Sequence, residues 1–409
     1  MADTFVIVGA NLAGGNAAIT LREEGFDGRV ILIGAEDNLP YERPPLSKQY
    51  LRGEMPAEKV FLRAADFYTS SNIETRLGIA ARRVDKDAKF VELDNGERIE
   101  YDKLLIATGG RNRRPPIPGI DLPGVLDLRT LANADEIRAV AQADKNVVVV
   151  GMGFIGSEVT ASLRTLGLNV SVVEGKDSPL GGLLGDEISS FIETLHRKHG
   201  VEMYFGDIVA SFEGNDHVER VVTRGGLRLE CDFAVIGVGI EPVTDIVRDT
   251  GIKLENGIVV DEYCRTSIED IFAAGDVANH FHPLLGHHIR VEHWQNAIRQ
   301  GIAAAKSMMG RGSPYEEVHW FWSDQYDVNI QYAGFHVEAD EVVMRGKPED
   351  GRFITFHLKD GHLMAAAAIN RARDLNRSIP LIASRQRLDV ASLTDDTTDL
   401  RTLVSTPAG

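Results

Sequence analysis

Short apolar runs recur along the chain in a fixed rhythm. Thr4-Phe5-Val6-Ile7-Val8 and Arg29-Val30-Ile31-Leu32-Ile33 bracket a mixed stretch that reaches Glu24. Asn146-Val147-Val148-Val149-Val150 and Asn169-Val170-Ser171-Val172-Val173 bracket another, reaching Leu166. Runs of about five apolar residues without alternation belong to strands covered on both faces. The stretches between them predict helices, so each set reads strand–helix–strand, the unit of a parallel sheet wound with helices. From about Glu317 the pattern changes. Stretches such as Asn329 to Ala333 and Arg352 to Leu358 alternate, which predicts a strand-rich C-terminal part.

What lies at the ends of these runs carries chemistry. After the first comes Gly9-Ala10-Asn11-Leu12-Ala13-Gly14, and the second stops just before Glu36. This is the dinucleotide fingerprint in its required context: strand, glycine turn, helix, strand, then an acid about 20 residues on. Gly9 permits the tight turn and Gly14 lets helix and strand pack closely. The helix N-terminus offers free N–H groups to a pyrophosphate, and Glu36 suits an adenosine ribose. Asn11 replaces the middle glycine, so its side chain must turn away from the phosphates. The second set is complete: Gly151-Met152-Gly153-Phe154-Ile155-Gly156, with Glu174 closing the next strand. Glu174 accepts ribose hydroxyls and opposes a 2′-phosphate, which favours NADH over NADPH, with Lys176 nearby to soften the preference. A third signal is Asp270-Ile271-Phe272-Ala273-Ala274-Gly275-Asp276-Val277-Ala278, an apolar strand ending in Gly-Asp at an expected helix start. A carboxylate there can accept from a polyol hydroxyl such as the ribityl chain of a flavin, or serve only as a helix N-cap.

Composition narrows the class. The 409 residues exceed one ordinary core, so two or three domains are expected. A formal net charge of -17 argues against general binding to nucleic acid or anionic membrane. The opening Met1-Ala2-Asp3-Thr4 lacks the basic region of a secretory leader. Only Cys231 and Cys264 occur, far apart, which fits a reducing cytoplasm and excludes a disulfide scaffold. His280, His282, His287, His288 and His293 crowd one loop, but their spacing matches no zinc pattern, and no metal is expected.

The ordered set of Gly9 to Gly14, Leu104-Leu105-Ile106-Ala107-Thr108-Gly109, Gly151 to Gly156, Val235-Ile236-Gly237-Val238-Gly239 and Ala274-Gly275-Asp276 resembles the FAD-dependent pyridine nucleotide oxidoreductase superfamily. Pro40-Tyr41-Glu42-Arg43-Pro44-Pro45-Leu46-Ser47-Lys48 and Trp320-Phe321-Trp322-Ser323-Asp324-Gln325 resemble, within it, the oxygenase-coupled NADH-dependent ferredoxin reductases. The resemblance covers essentially the whole chain. It implies an α/β fold with two Rossmann-like dinucleotide-binding domains, for FAD and NAD, plus a C-terminal α+β domain. The expected boundaries are 1–111 with 241–317 for FAD, 112–240 for NAD and 318–409 for the C-terminal domain. It implies electron transfer from NADH through FAD to a [2Fe-2S] ferredoxin serving a monooxygenase or ring-hydroxylating dioxygenase, by a monomer or weak homodimer.

Site roles follow from the same resemblance. Lys48 is placed beside the flavin N5, and Glu158 orients the nicotinamide carboxamide and pairs with Lys48. His293 and Trp294 open a helix aimed at the flavin N1/O2 edge. Trp322 lies near the isoalloxazine. Arg43 and Arg129 lie beside FAD, with Ala107, Thr108, Gly109, Asp276 and Val277 at its domain, and Gly239 with the nicotinamide nucleotide. Cysteine is missing from Ala13 to Glu24, from Tyr41 to Leu51 and from Gly151 to Gly200, so a dithiol relay is excluded. The rivals are an NADH oxidase or peroxide-reducing flavoprotein, which needs a cysteine near N5, and a redox signalling flavoprotein of the apoptosis-inducing-factor type, which needs a strongly basic surface. For docking an acidic ferredoxin, Arg371, Arg373, Arg377, Arg385 and Arg387 against Asp374 give a local excess of four positive charges.

Overall fold

The computed structural model describes residues 3–335 and 339–404. The chain forms two compact units. One comprises residues 1–43, 57–111 and 240–317, and the other residues 44–56, 112–239 and 318–409.

In the first unit the run at Thr4–Val8 is the central strand of a parallel sheet ordered Ile271–Ala273, Lys103–Ile106, Thr4–Val8, Arg29–Ile33, Ile73–Arg76. Val6, Ile7, Ile31 and Leu32 are wholly buried, as strands covered on both faces require. The helix Leu12–Glu23 crosses over on one side, where the helix Trp294–Met308 packs along it. Small residues permit this approach: a Cβ on Gly301 would come within 2.3 Å of the Ala13 carbonyl oxygen. Because the chain leaves Thr4–Val8 in one direction and returns beyond it in the other, its C-terminal end is a topological switch point, where α/β sheets bind ligands.

The second unit repeats the plan. Its parallel sheet runs Glu202–Phe205, Asn169–Glu174, Asn146–Val150, Phe233–Ile236, Val125–Asp127, again with the glycine turn after the central strand. The expected C-terminal strands form an antiparallel sheet ordered Trp320–Gln325, Val328–Gly334, His362–Ile369, Arg352–Lys359, Glu341–Lys347. One face of that sheet, with Phe321, Ile330, Phe353 and Ala367, packs on Leu184, Ile188 and Ile192, the last two from the helix Asp186–Lys198. Residues 44–56 belong here through specific bonds. Ser162 Oγ donates to the Ser47 carbonyl at 2.6 Å, and Tyr50 Oη donates to Asp135 at 2.8 Å. Among the described residues, no helix is long and apolar enough to cross a membrane.

Candidate active site

The first glycine turn is closed by backbone. Gly9 has φ +116°, and a Cβ there would lie 2.1 Å from the Ala107 carbonyl oxygen. A Cβ on Gly14 would lie 2.0 Å from the Gly9 carbonyl oxygen. No side chain fits either position, so the chain runs as tightly as a pyrophosphate cradle demands. The first N–H groups of the helix Leu12–Glu23 lack partners within it, and such groups can receive an anion. Asn11 caps that helix with an ordinary φ of -93°, so no unusual backbone is needed. Its Oδ1 accepts from Arg43 Nη2, which turns the side chain aside as the missing glycine requires.

Arg43 also pairs with Glu36 Oε1 at 2.8 Å, while Tyr41 Oη donates to Glu36 Oε2 at 2.5 Å. Asn11, Glu36 and Arg43 are therefore one cluster, with Tyr41 a member that spacing alone did not reveal. Thr108 Oγ1 donates to the Val243 carbonyl at 2.6 Å, and Val243 N donates back to Gly109 O at 3.0 Å, fixing the Ala107-Thr108-Gly109 turn.

Asp276 departs from expectation. No helix follows it: Gly275, at φ +80°, makes a turn closed by Ala278 N on Gly275 O at 2.9 Å. The chain then continues as the strand Ala278–His282, because Ile258–Val260 and His287–Arg290 supply partners on both sides. The N-cap reading of Asp276, beside Val277, therefore falls away. Gln300 Oε1 accepts from Gly275 N at 2.9 Å and ties this turn to the helix Trp294–Met308. That helix starts where expected, with His293 as N-cap and Trp294 first. Burial pushes His293 down to about 4, so it is neutral at physiological pH.

The second turn follows the same geometry. Gly151 has φ +97°, and a Cβ on Gly156 would lie 2.0 Å from the Gly151 carbonyl oxygen. A Cβ on Gly153 would meet no described atom within 4 Å, so that glycine faces open space where a phosphate can approach. Beside it lies a cleft of about 810 Å³ lined by Gly151, Gly153, Glu174, Lys176, Arg224 and Gly239 among others, a volume suited to a nucleotide cofactor. Ile155, on the first turn of the helix Phe154–Thr165, is 46% exposed. Glu174 is fixed by two main-chain donors, Met152 N at 2.6 Å and Lys176 N at 2.8 Å. Arg224 was not legible as a cleft residue, since it comes from a distant turn. Replacing Glu174 with serine is expected to raise NADPH relative to NADH in kcat/KM by about 30-fold. That is roughly half of the ~4 kcal/mol between unit charges 4 Å apart at an effective dielectric near 20, the rest being screened by Lys176 and Arg224. An unchanged ratio would remove Glu174 from ribose selection.

Lys48 and Glu158 meet inside the second unit. Lys48 Nζ lies 2.5 Å from Glu158 Oε2, and the two residues are only 4% and 3% exposed. Ser47 Oγ donates to the same oxygen at 2.5 Å, and Ser323 Oγ donates to Oε1 at 2.7 Å. Glu158 is thus a buried ion-pair partner rather than a solvated acid at a helix start. Neither serine was picked out from the sequence, although Ser47 and Ser323 both sit inside the two quoted signature stretches. Trp322 is half-buried, its Nε1 donating to Asp324 Oδ2 at 3.1 Å. Arg129 follows the strand Val125–Asp127, its backbone N bonded to Asn133 at 3.2 Å at the head of the helix Leu131–Val140. Lys48, Glu158, Arg129 and Trp322 belong to the second unit and Arg43 to the first.

Both cysteines are buried, free, and pushed up to about 12 chiefly by that burial, so neither is a poised thiolate. The arginine-rich segment is less basic than its sequence implies. Arg371 pairs with Asp396 and Asp374, and Arg377 with Asp399 at 3.1 Å. Two acids brought in from later in the chain reduce the expected excess of four charges to two.

Known proteins are similar to this chain in sequence and fold. Residues 3–301 match the family model described as pyridine nucleotide-disulphide oxidoreductase, and residues 320–404 match the reductase C-terminal model. The anthranilate 1,2-dioxygenase system ferredoxin–NAD(+) reductase component of Burkholderia cepacia is 38% identical over 98% of this chain and 100% of its own. The crystal structure of the ferredoxin reductase for the CYP199A2 system from Rhodopseudomonas palustris superposes with a TM-score of 0.95 at 35% identity, covering 98% of this chain and 100% of that one. The reductase chain of a covalent putidaredoxin reductase–putidaredoxin complex gives 0.94 at 33%, covering 98% of each. With two glycine turns on two parallel sheets and both family models matched in order, the chain belongs to the pyridine nucleotide-disulphide oxidoreductase family.

Proposed function

We propose that the chain is an NADH:ferredoxin oxidoreductase that binds FAD at the Gly9 turn and NADH at the Gly151 turn. It would serve a monooxygenase or ring-hydroxylating dioxygenase. The observation that carries this is the pair of sterically closed turns, each at the switch point of its own parallel sheet. When bound, FAD supplies the capacity to take two electrons as hydride and to release them singly.

The protein's own residues supply position and charge. Asn11 and Arg43 clear the approach of the first pyrophosphate, and Asp276 accepts from the ribityl hydroxyls. The helix beginning at Trp294 directs its positive end, backed by neutral His293, toward developing negative charge. Glu158 holds the nicotinamide carboxamide, and Lys48 contributes positive potential while neutralising that buried carboxylate. Trp322 and Arg129 are further residues that would help to hold FAD. Residues 1–111 with 241–317 serve as the FAD domain, apart from 44–56, which fold with the second unit, and residues 112–240 and 318–409 serve as the NAD and C-terminal domains. The net charge of -17 favours a monomer or weak homodimer through self-repulsion. The partner is a [2Fe-2S] ferredoxin. Turnover of the FAD-loaded protein with NADH should reduce such a ferredoxin faster than it produces hydrogen peroxide. Peroxide or water as the sole product would make it an oxidase instead.

A further inference from the structure

Behind Glu158 the side chains of two distant segments form one continuous row of hydrogen bonds. Ser323 Oγ donates to Glu158 Oε1 at 2.7 Å, and Gln325 Nε2 donates to Ser323 Oγ at 3.2 Å. Gln325 Oε1 lies 2.9 Å from His196 Nε2, and Tyr326 Oη lies 3.1 Å from His196 Nδ1. His196, Ser323 and Gln325 are completely buried. All five residues lie within the second unit.

The protons in this row can point only one way. An amide oxygen only accepts, so His196 must carry its proton on Nε2. Burial pushes His196 down to about 4, which leaves Nδ1 a free acceptor at neutral pH. Burial likewise raises Tyr326 well above its ordinary value, so its hydroxyl keeps its proton and donates to that nitrogen. Tyr326, His196, Gln325 and Ser323 therefore donate in sequence, and the row ends on a carboxylate. Aligned donors strengthen one another in a low-dielectric interior. Lys48 and Ser47 hold only Oε2 of Glu158, and the last torsion of a glutamate is otherwise broad. Ser323 fixes the second oxygen.

We propose that His196, Gln325 and Ser323 are positioning residues that set the orientation of Glu158 for the nicotinamide. The inference rests on the NADH-binding role of Glu158 proposed above. It gives the helix Asp186–Lys198 and the C-terminal strand Trp320–Gln325 a direct influence on nucleotide binding, although neither carries a glycine motif.

Ser323→Ala and Gln325→Met in the FAD-loaded protein test it, with Ser323→Thr as the conservative control. Anaerobic stopped-flow mixing with NADH reads the Kd and the limiting rate of flavin bleaching separately, and FAD content and melting temperature are measured alongside. Ser323→Ala should raise the NADH Kd about 10-fold, the size expected for a lost hydrogen bond to a charged group. Gln325→Met, one bond further back, should raise it about 3-fold by the same reasoning, and Ser323→Thr should restore the parent value. A lowered melting temperature with an unchanged Kd in both variants would overturn the proposal, because the row would then be structural. Loss of folded holoprotein in both would overturn it in the same sense. Wild-type protein that NADH fails to bleach would instead overturn the NADH-to-FAD function on which the inference rests.

Discussion

Substituting Gly9 by alanine is expected to yield protein that retains no FAD and is destabilised by at least about 3 kcal/mol, the range reached when a strained backbone and an overpacked contact combine. The added Cβ would stand 2.1 Å from the Ala107 carbonyl oxygen and 2.9 Å from Thr108 N, so backbone rather than a flexible side chain must move. The φ of +116° adds strain that no rotamer relieves. Moving that backbone also displaces the Ala107-Thr108-Gly109 turn. The Gly153→Ala variant is the informative contrast. Its Cβ meets no described atom within 4 Å, so the fold and bound FAD should survive while NADH affinity falls. Urea denaturation with flavin release measured at each step distinguishes the two. Equal stability of Gly9→Ala and the parent would refute the argument.

Removing one partner of the Lys48–Glu158 pair should be nearly as severe. Lys48→Met leaves a carboxylate that is 3% exposed with no cation against it. Breaking a buried pair from one side costs about 3–5 kcal/mol, whereas replacing both charges with apolar groups is often close to neutral. The double variant Lys48→Met with Glu158→Leu should therefore be more stable than Lys48→Met alone, yet should be reduced by NADH far more slowly than the parent. Chemical denaturation of the double-mutant cycle gives the coupling energy. A double variant that reacts like the parent would remove both residues from the nicotinamide site.

These two predictions rest on features of unequal legibility. The glycine turns were visible in the sequence because local backbone sterics dictate them: Gly9 and Gly151 stand at the ends of apolar runs whose length already implies buried parallel strands. The Lys48–Glu158 pairing was visible only through resemblance, since nothing in the spacing of the two residues brings them together. The helix expected after Asp276 failed because a Gly-Asp turn suits a helix start and a strand turn alike. The partners that decide it, Ile258–Val260 and His287–Arg290, act through tertiary pairing. Residues 44–56 carry no pattern that reveals their bonds to Asp135 and Ser162. The same holds for the arginine segment, whose charge is halved by Asp396 and Asp399 only once the chain folds back.

The central claim is that hydride enters through FAD and leaves as electrons for a ferredoxin without a thiol intermediary. Anaerobic titration of the FAD-loaded protein with NADH tests it most directly. Because Cys231 and Cys264 are buried and protonated, one equivalent of NADH per FAD should bleach the flavin completely. Adding oxidised [2Fe-2S] ferredoxin should then restore the flavin colour as two equivalents of ferredoxin are reduced. Uptake of a second NADH equivalent, or a bleached flavin that ferredoxin cannot reoxidise, would contradict the account.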